Sequence, residues 1–254
     1  MTITPAALRF WQRIHRKAAT LTPAMAKAYY AGIDALAERL TERQLEKYYS
    51  TFAVEQYIAE ALSDKNLNAA FSKYRAQVQL TTRDAVKWYG KDIPGVAAFT
   101  RGGGGGIAFD HLYPKVIDAV RALDTRVMTR LKGSVRETVR AIIENGLRDG
   151  AGPRQTSIAI RDFIGLGKSQ WQEVQNYRDA LEAGKAGKAL GYAARDRRFD
   201  ASVKSGALDA AKIDKMVEAY TKRRIAINAA TTARTATLDS FKAGQRLSWE
   251  SAIE

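Results

Sequence analysis

Between residues 112 and 147 the apolar positions follow one rule. Val116, Val120, Leu123, Val127, Leu131, Val135 or Ser134, Thr138 and Ile142 succeed one another at steps of four or three. Positions 116, 127 and 138 repeat at eleven, as do 120, 131 and 142, and that period holds an apolar stripe on one side of a nearly straight helix. Such a helix is roughly 50 Å long at 1.5 Å per residue. It must bury its stripe against another long element, and the C-terminal region offers one in Ile213, Met216, Val217, Tyr220, Ile227, Leu238 and Phe241. Elsewhere Ala, Leu, Arg, Lys, Glu and Gln, all strong helix formers, dominate, and alternating β-branched or aromatic patterns are nearly missing. The expectation is an all-α fold, an extended multi-helix protein with long packed helices.

Proline and glycine set the punctuation. Thr4-Pro5, Thr22-Pro23, Tyr113-Pro114 and Gly152-Pro153 each place proline where a helix would begin. Helices are expected at 5–19, 23–48, 52–62, 67–90, 112–147, 153–164, 168–183, 188–203 and 209–246. Gly102, Gly103, Gly104, Gly105 and Gly106 form an unbroken run. Five glycines have no preferred backbone conformation and read as a hinge. A phosphate-cradling loop needs a strand before it and a Lys-Ser/Thr after it, and no such pair follows. The expected organisation is an N-terminal helical region (1–100), a Gly-rich linker (101–109) and a second helical domain (110–254).

Charge narrows the partners. The 41 Lys and Arg exceed the 27 Asp and Glu, for a net charge of +14 in 254 residues. This favours polyanions: nucleic acid, an anionic membrane face or an acidic protein surface. Cysteine is absent, which excludes disulfides, zinc ribbons, thiolate catalysis and iron–sulfur clusters. The two histidines, His15 and His111, stand too far apart in sequence to suggest a metal site. No run of about 18 uncharged apolar residues suggests a membrane span. Arg9, Arg13 and Arg16 interrupt any signal-peptide core, so a cytoplasm-like compartment, or the inside of something assembled there, is expected.

Within 185–234, 12 basic residues meet only 5 acidic ones. Lys185, Lys188, Arg195, Arg197, Arg198, Lys222, Arg223, Arg224 and Arg234 are the candidate DNA-binding residues. Two readings stand side by side. These can be solvated helix faces whose arginines pair with Asp196, Asp200 or Glu218. They can equally form a surface that meets phosphates and gains sequence-independent affinity by counterion release. Base-specific readout has no motif to carry it. Tyr29-Tyr30, Tyr48-Tyr49 and Trp88-Tyr89 fall on expected helices, where core packing is their expected role. No carboxylate pair, nucleophile elbow or triad is visible, so no catalytic residue, metal ligand or cofactor is assigned.

The C-terminal half carries a run of motifs in order. Asp149-Gly150-Ala151-Gly152-Pro153 opens a short amphipathic helix. Gly165-Leu166-Gly167-Lys168-Ser169-Gln170 and Asn176-Tyr177-Arg178 follow. Next come Arg195-Asp196-Arg197-Arg198-Phe199-Asp200, Tyr220-(x)-Lys222-Arg223-Arg224 and Thr232-Ala233-Arg234-Thr235. This run, over roughly 110–245, resembles the phage head morphogenesis family, the Mu F-like minor head proteins of tailed phages. Ala236 stands where the family typically has Glu, which leaves the partner of Arg234 open. The resemblance implies a non-enzymatic virion component at the portal vertex inside the capsid, made in the host cytoplasm during assembly. Its implied partners are the portal protein, other head proteins and double-stranded DNA contacted without sequence preference, with a role in head assembly and genome delivery. It names no catalytic residue, and it marks Tyr177, Arg178, Phe199 and Tyr220 as structural positions. An alternative is an internal ejection protein released with the genome, whose basic segments 5–19 and 188–203 would meet anionic lipid of the host envelope.

Overall fold

The computed structural model describes residues 5–49, 51, 53–92 and 114–253. The glycine run Gly102–Gly106, the linker expected at 101–109 and His111 lie outside them. The described residues form α-helices with no strand. In chain order these are α1 (Pro5–Arg39), α2 (Glu42–Tyr49), α3 (Val54–Ala61), α4 (Asp64–Ala70), α5 (Ser72–Asp92) and α6 (Pro114–Arg148). They are followed by α7 (Pro153–Phe163), α8 (Lys168–Glu182), α9 (Ala186–Leu190), a 3-10 turn (Arg197–Phe199), α10 (Asp200–Ser205) and α11 (Ala210–Ile253).

By packing, the chain divides into two compact units. The first comprises Met1–Gly32, Asn68–Leu131 and Ala230–Glu254; the second comprises Ile33–Leu67 and Lys132–Ala229. Helices α1, α6 and α11 contribute residues to both.

In the first unit, Ile14 and Ala18 of α1, Ala85 and Tyr89 of α5 and Phe241 of α11 form one buried cluster, flanked by Leu21, Trp88 and Leu238. Val86, Val116, Ala119, Val120 and Leu247 form a second, which joins the N-terminal half of α6 to the end of α11. The start of α6 thus meets α11 at Leu247, beyond the C-terminal residues expected to pair with it, while Phe241 packs against α1 and α5. Gly244 lets α11 approach α5 closely, since a Cβ at that position would stand 3.0 Å from backbone atoms of Ala85 and Val86. Beside it the buried Thr82 Oγ donates to Ser240 Oγ at 3.1 Å. Arg75 grips the buried Asp124 with two nitrogens, the shorter contact being 2.6 Å. Tyr29 packs against Phe71 and Tyr74, and burial pushes its hydroxyl up to about 12.

In the second unit α2 packs on α3 and α7. The Tyr49 hydroxyl donates to the Ala151 carbonyl and lies 3.0 Å from Thr156 Oγ. Arg136 of α6 caps the end of α3 by donating to the Leu62 carbonyl at 2.9 Å, and also reaches Asp64 at 2.7 Å. Thr138, fully buried in the α6 stripe, is satisfied by the Ser134 and Leu166 carbonyls. All eight stripe positions of α6, from Val116 to Ile142, are buried.

Four local expectations are corrected. Helices 5–19 and 23–48 are instead one continuous α1, with Pro23 inside it. Proline removes one backbone donor and crowds the carbonyl four residues back. Thr22 Oγ donates to the Ala18 carbonyl at 2.9 Å and Thr20 Oγ to that of Lys17 at 2.7 Å, while Ile14, Ala18, Met25 and Tyr29 bury the same side of the helix before and after the defect. The chain then stops at Arg39, because Thr41 begins α2 through a reciprocal cap in which Thr41 and Gln44 each bond the other's backbone N–H. The expected helix 67–90 is broken at Phe71, whose ring fills the space that a side chain at Gly32 would occupy. The expected helix 188–203 is replaced by α9, the 3-10 turn and α10. Ile227, placed on the C-terminal apolar stripe, is 46% exposed.

Glycine positions give a direct check. Gly244→Val forces α11 off α5 and should lower the unfolding free energy by about 1–3 kcal/mol in urea titrations. Gly133→Ala meets nothing within 4 Å inside α6 and should raise it by about 0.5–1 kcal/mol.

Candidate nucleic-acid interface

The basic segment folds around carboxylates. After α9 the chain turns, and Asp196 accepts the backbone N–H of Arg198 at 3.1 Å, which starts the 3-10 turn. Short polar side chains compete with helical hydrogen bonding in this way, and this divides the expected helix 188–203. The Asp196 side chain is 3% exposed. It also accepts the Arg198 guanidinium at 2.7 Å and that of Arg223, from α11, at 3.2 Å. Arg223 donates in addition to the Arg195 carbonyl at 2.5 Å, stitching the 192–200 segment to α11. Arg195 itself is held by both oxygens of Asp200, at 3.0 and 3.1 Å, and reaches the Tyr192 carbonyl.

Three tyrosines lie alongside these ion pairs. Tyr177 of α8 stacks on Tyr220 of α11 with ring centroids 4.4 Å apart, and Tyr192 meets both edge-on. The Tyr220 hydroxyl donates to Glu173, whose other oxygen holds Arg224 at 2.8 Å. Burial, and then the neighbouring Glu173, pushes the Tyr220 hydroxyl well above its ordinary value. Arg198, through its side chain and backbone, holds the Asp196 carboxyl far below the usual carboxylate range. At the start of α8, Gln170 accepts the Gly167 N–H and donates to Asn228 of α11, which in turn donates to the Gly165 carbonyl. Arg178 pairs with Asp214 at 2.8 Å.

The nine candidate residues therefore differ in kind. Arg195, Arg198, Arg223 and Arg224 have carboxylate partners in the second unit, with Arg198 still 82% exposed at its outer edge. Lys222 pairs with Glu218 one helical turn away, at 2.5 Å. Lys185, Lys188 and Arg197 are exposed on the same unit. Arg234 is exposed but belongs to the first unit, where it lines a shallow groove with His15 and Pro23. Of the four positions marked as structural by resemblance, Tyr177 and Tyr220 are fully buried, while Phe199 and Arg178 are half-buried. Tyr29, Tyr48 and Tyr89 are buried, and their neighbours Tyr30, Tyr49 and Trp88 half-buried.

Sequence reasoning placed Asp196, Asp200 and Glu218 as partners of the arginines, yet only Lys222–Glu218 has helical spacing. Glu173 was missed; it lies 47 residues from Tyr220, and nothing local in the sequence points to that contact. Among the described residues no group of three or more Asp, Glu or His is placed to hold a metal ion. No helix among them is long and apolar enough to cross a membrane. No known family model matches the chain, and neither does any curated protein or solved structure.

The depressed Asp196 carboxyl stabilises the fold while it is ionised. That contribution is complete above its ordinary value of 3.8 and is lost as the pH falls below it. Asp196→Asn should lower the melting temperature by several degrees at pH 7 and flatten the loss of stability between about pH 5 and 2, as read by thermal melts across that range.

Proposed function

We propose that this chain is a minor head protein of a tailed phage: a non-enzymatic helical component that binds the portal from inside the capsid and contacts packaged DNA without reading its sequence. The supporting observation concerns the motifs that carry the resemblance. The stretches 176–178, 195–200 and 220–224 are distant in sequence but meet in one arrangement of ion pairs and stacked tyrosines around Asp196 and Glu173. These three motifs share the second unit, whereas Thr232-Ala233-Arg234-Thr235 belongs to the first. The excess of 14 positive charges suits a protein held beside a polyanion, and exposed cations supply affinity through counterion release.

The role proposed for the ordered arginines is mechanical. A turn segment cross-linked by Asp196 to α11 and packed edge-on through Tyr192 against Tyr177 of α8 resists local opening. That suits a component that must keep its shape while a genome moves past it.

The test is biochemical. Infectious particles of the source should contain this chain, and it should co-purify with portal protein after head disruption. Its absence from purified particles, or failure to associate with portal protein, overturns the reading.

A further inference from the structure

Within the first unit, packing leaves a groove open between α1 and α11. His15, Ala19, Pro23 and Ala26 of α1 face Arg234 and Leu238 of α11 across about 490 Å³. Alanine keeps the floor low, and the Thr22 hydroxyl in it turns back to the Ala18 carbonyl at 2.9 Å, so the groove offers mainly apolar surface. Residues 15, 19, 22 and 26 share one side of α1, and Trp11 and Leu8 continue that side towards the N-terminus at the same spacing. Leu8 is 52% and Trp11 42% exposed, and the Trp11 ring lies 6.4 Å from that of His15. From Leu8 to Ala26 this side runs about 27 Å at 1.5 Å per residue, or about five turns of helix. The charge around it has one sign. Residues 5–33 of α1 and 230–238 of α11 hold six Lys and Arg and no Asp or Glu. Arg9, Arg16 and Lys27, each next in sequence to a residue of this side, are exposed, as is Arg234 on the opposite wall. Pro23 adds a polar contact point. Having no N–H, it cannot donate to the Ala19 carbonyl, which lies between two residues of the groove.

We propose that this groove is a docking site for an amphipathic α-helix of another protein, with bulky apolar residues on one side and Asp or Glu along its edges. Its occupant is set by shape and charge, independently of where the chain works. A cleft between two helices takes a third by helix-in-groove packing, read as apolar anchors at i, i+3, i+4 and i+7. The alanines of the floor leave room for Leu or Phe anchors from the partner, and Leu8 and Trp11 lengthen the apolar track beyond the groove itself. The cations of α1 and Arg234 flank the track, so an acidic helix is drawn in and a basic helix with the same apolar side is repelled. A Ser, Thr or Asn of the docked helix can serve the Ala19 carbonyl, which proline has deprived of its usual donor. An anionic lipid surface matches the charge but not the shape, because a flat sheet does not reach alanines set between His15 and Arg234.

The chain has no cysteine, so Ala19→Cys can carry a single environment-sensitive dye in the groove. Ala76→Cys, at an exposed alanine of α5 outside the groove, is the reference. The probes are two synthetic helices of about 18 residues with the same Leu and Phe positions, one edged with Glu and the other with Lys, and vesicles of about one-third anionic lipid. Circular dichroism melts of the full-length variants establish that all fold alike. The acidic peptide should give a saturable response at Ala19→Cys, with a dissociation constant in the micromolar range, and none at Ala76→Cys. The basic peptide should bind at least about tenfold more weakly. Adding Arg234→Glu should weaken the acidic peptide about tenfold and strengthen the basic one, a reversal that a general loss of structure does not produce. Four outcomes would each overturn the proposal: no saturable response to the acidic peptide up to about 1 mM, equal affinity for the two peptides, an equal response at Ala76→Cys, or a response to vesicles alone. None of these readouts involves portal protein or particles, so the virion assignment stands or falls on its own measurement.

Discussion

A helix of 35 residues with one uninterrupted apolar side cannot persist bare in water, because its stability comes from burying that side. Helix α6 is such an element, and each unit covers part of it. In the first unit its beginning meets Val86 of α5 and Leu247 of α11. In the second its later turns anchor the end of α3 through Arg136 and receive the Leu166 carbonyl on Thr138. Thr138 within the stripe and Arg136 beside it thus serve as fastening points. Thr138 shares its one hydroxyl proton between the Ser134 and Leu166 carbonyls from within an otherwise apolar surface, which ties the 164–167 turn to α6.

Net charge and available charge are different quantities. The segment with the densest arginines is where carboxylates are buried or half-buried: Asp196 at 3% exposure, Glu173 at 33%. A buried carboxylate is tolerated only when paired and hydrogen-bonded. The arginines are therefore bound to the carboxylates first, and only their outer edges remain for anything else. Lys185, Lys188 and Arg197, beside these pairs on the same unit, are exposed. For a protein whose work depends on electrostatics, spatial compensation decides where a polyanion can land.

Much of the architecture could be read before any coordinates. The period-eleven stripe of α6, the helix starts at Pro5, Pro114 and Pro153, and the bounds of α8 within a residue all follow from apolar spacing and cap chemistry. What escaped were events governed by tertiary contact. Pro23 argues locally for a boundary, but α1 runs through it because Ile14, Met25 and Tyr29 are buried on both sides of the defect. Phe71 breaks a good helical pattern because its ring is needed against Tyr29 and Gly32. Thr41 and Gln44 did carry a legible capping box; the signal was there and was outweighed by the helix formers on either side. The site divides the same way. The nearby carboxylate partners Asp196, Asp200 and Glu218 could be named from the sequence, whereas Glu173 comes from an element 47 residues away from Tyr220.

Each unit draws residues from both sides of the glycine run. The first needs α1 and α5 as well as the start of α6 and the end of α11; the second needs α2 and α3 as well as everything between Lys132 and Ala229. Neither hydrophobic centre is encoded by a contiguous stretch. A polypeptide ending at residue 100, or one starting at 110, would present unmatched apolar surface from both centres and tend to aggregate. Cleavage after folding, within 101–109, would leave two pieces held by non-covalent interdigitation, in the manner of a split protein whose halves find each other.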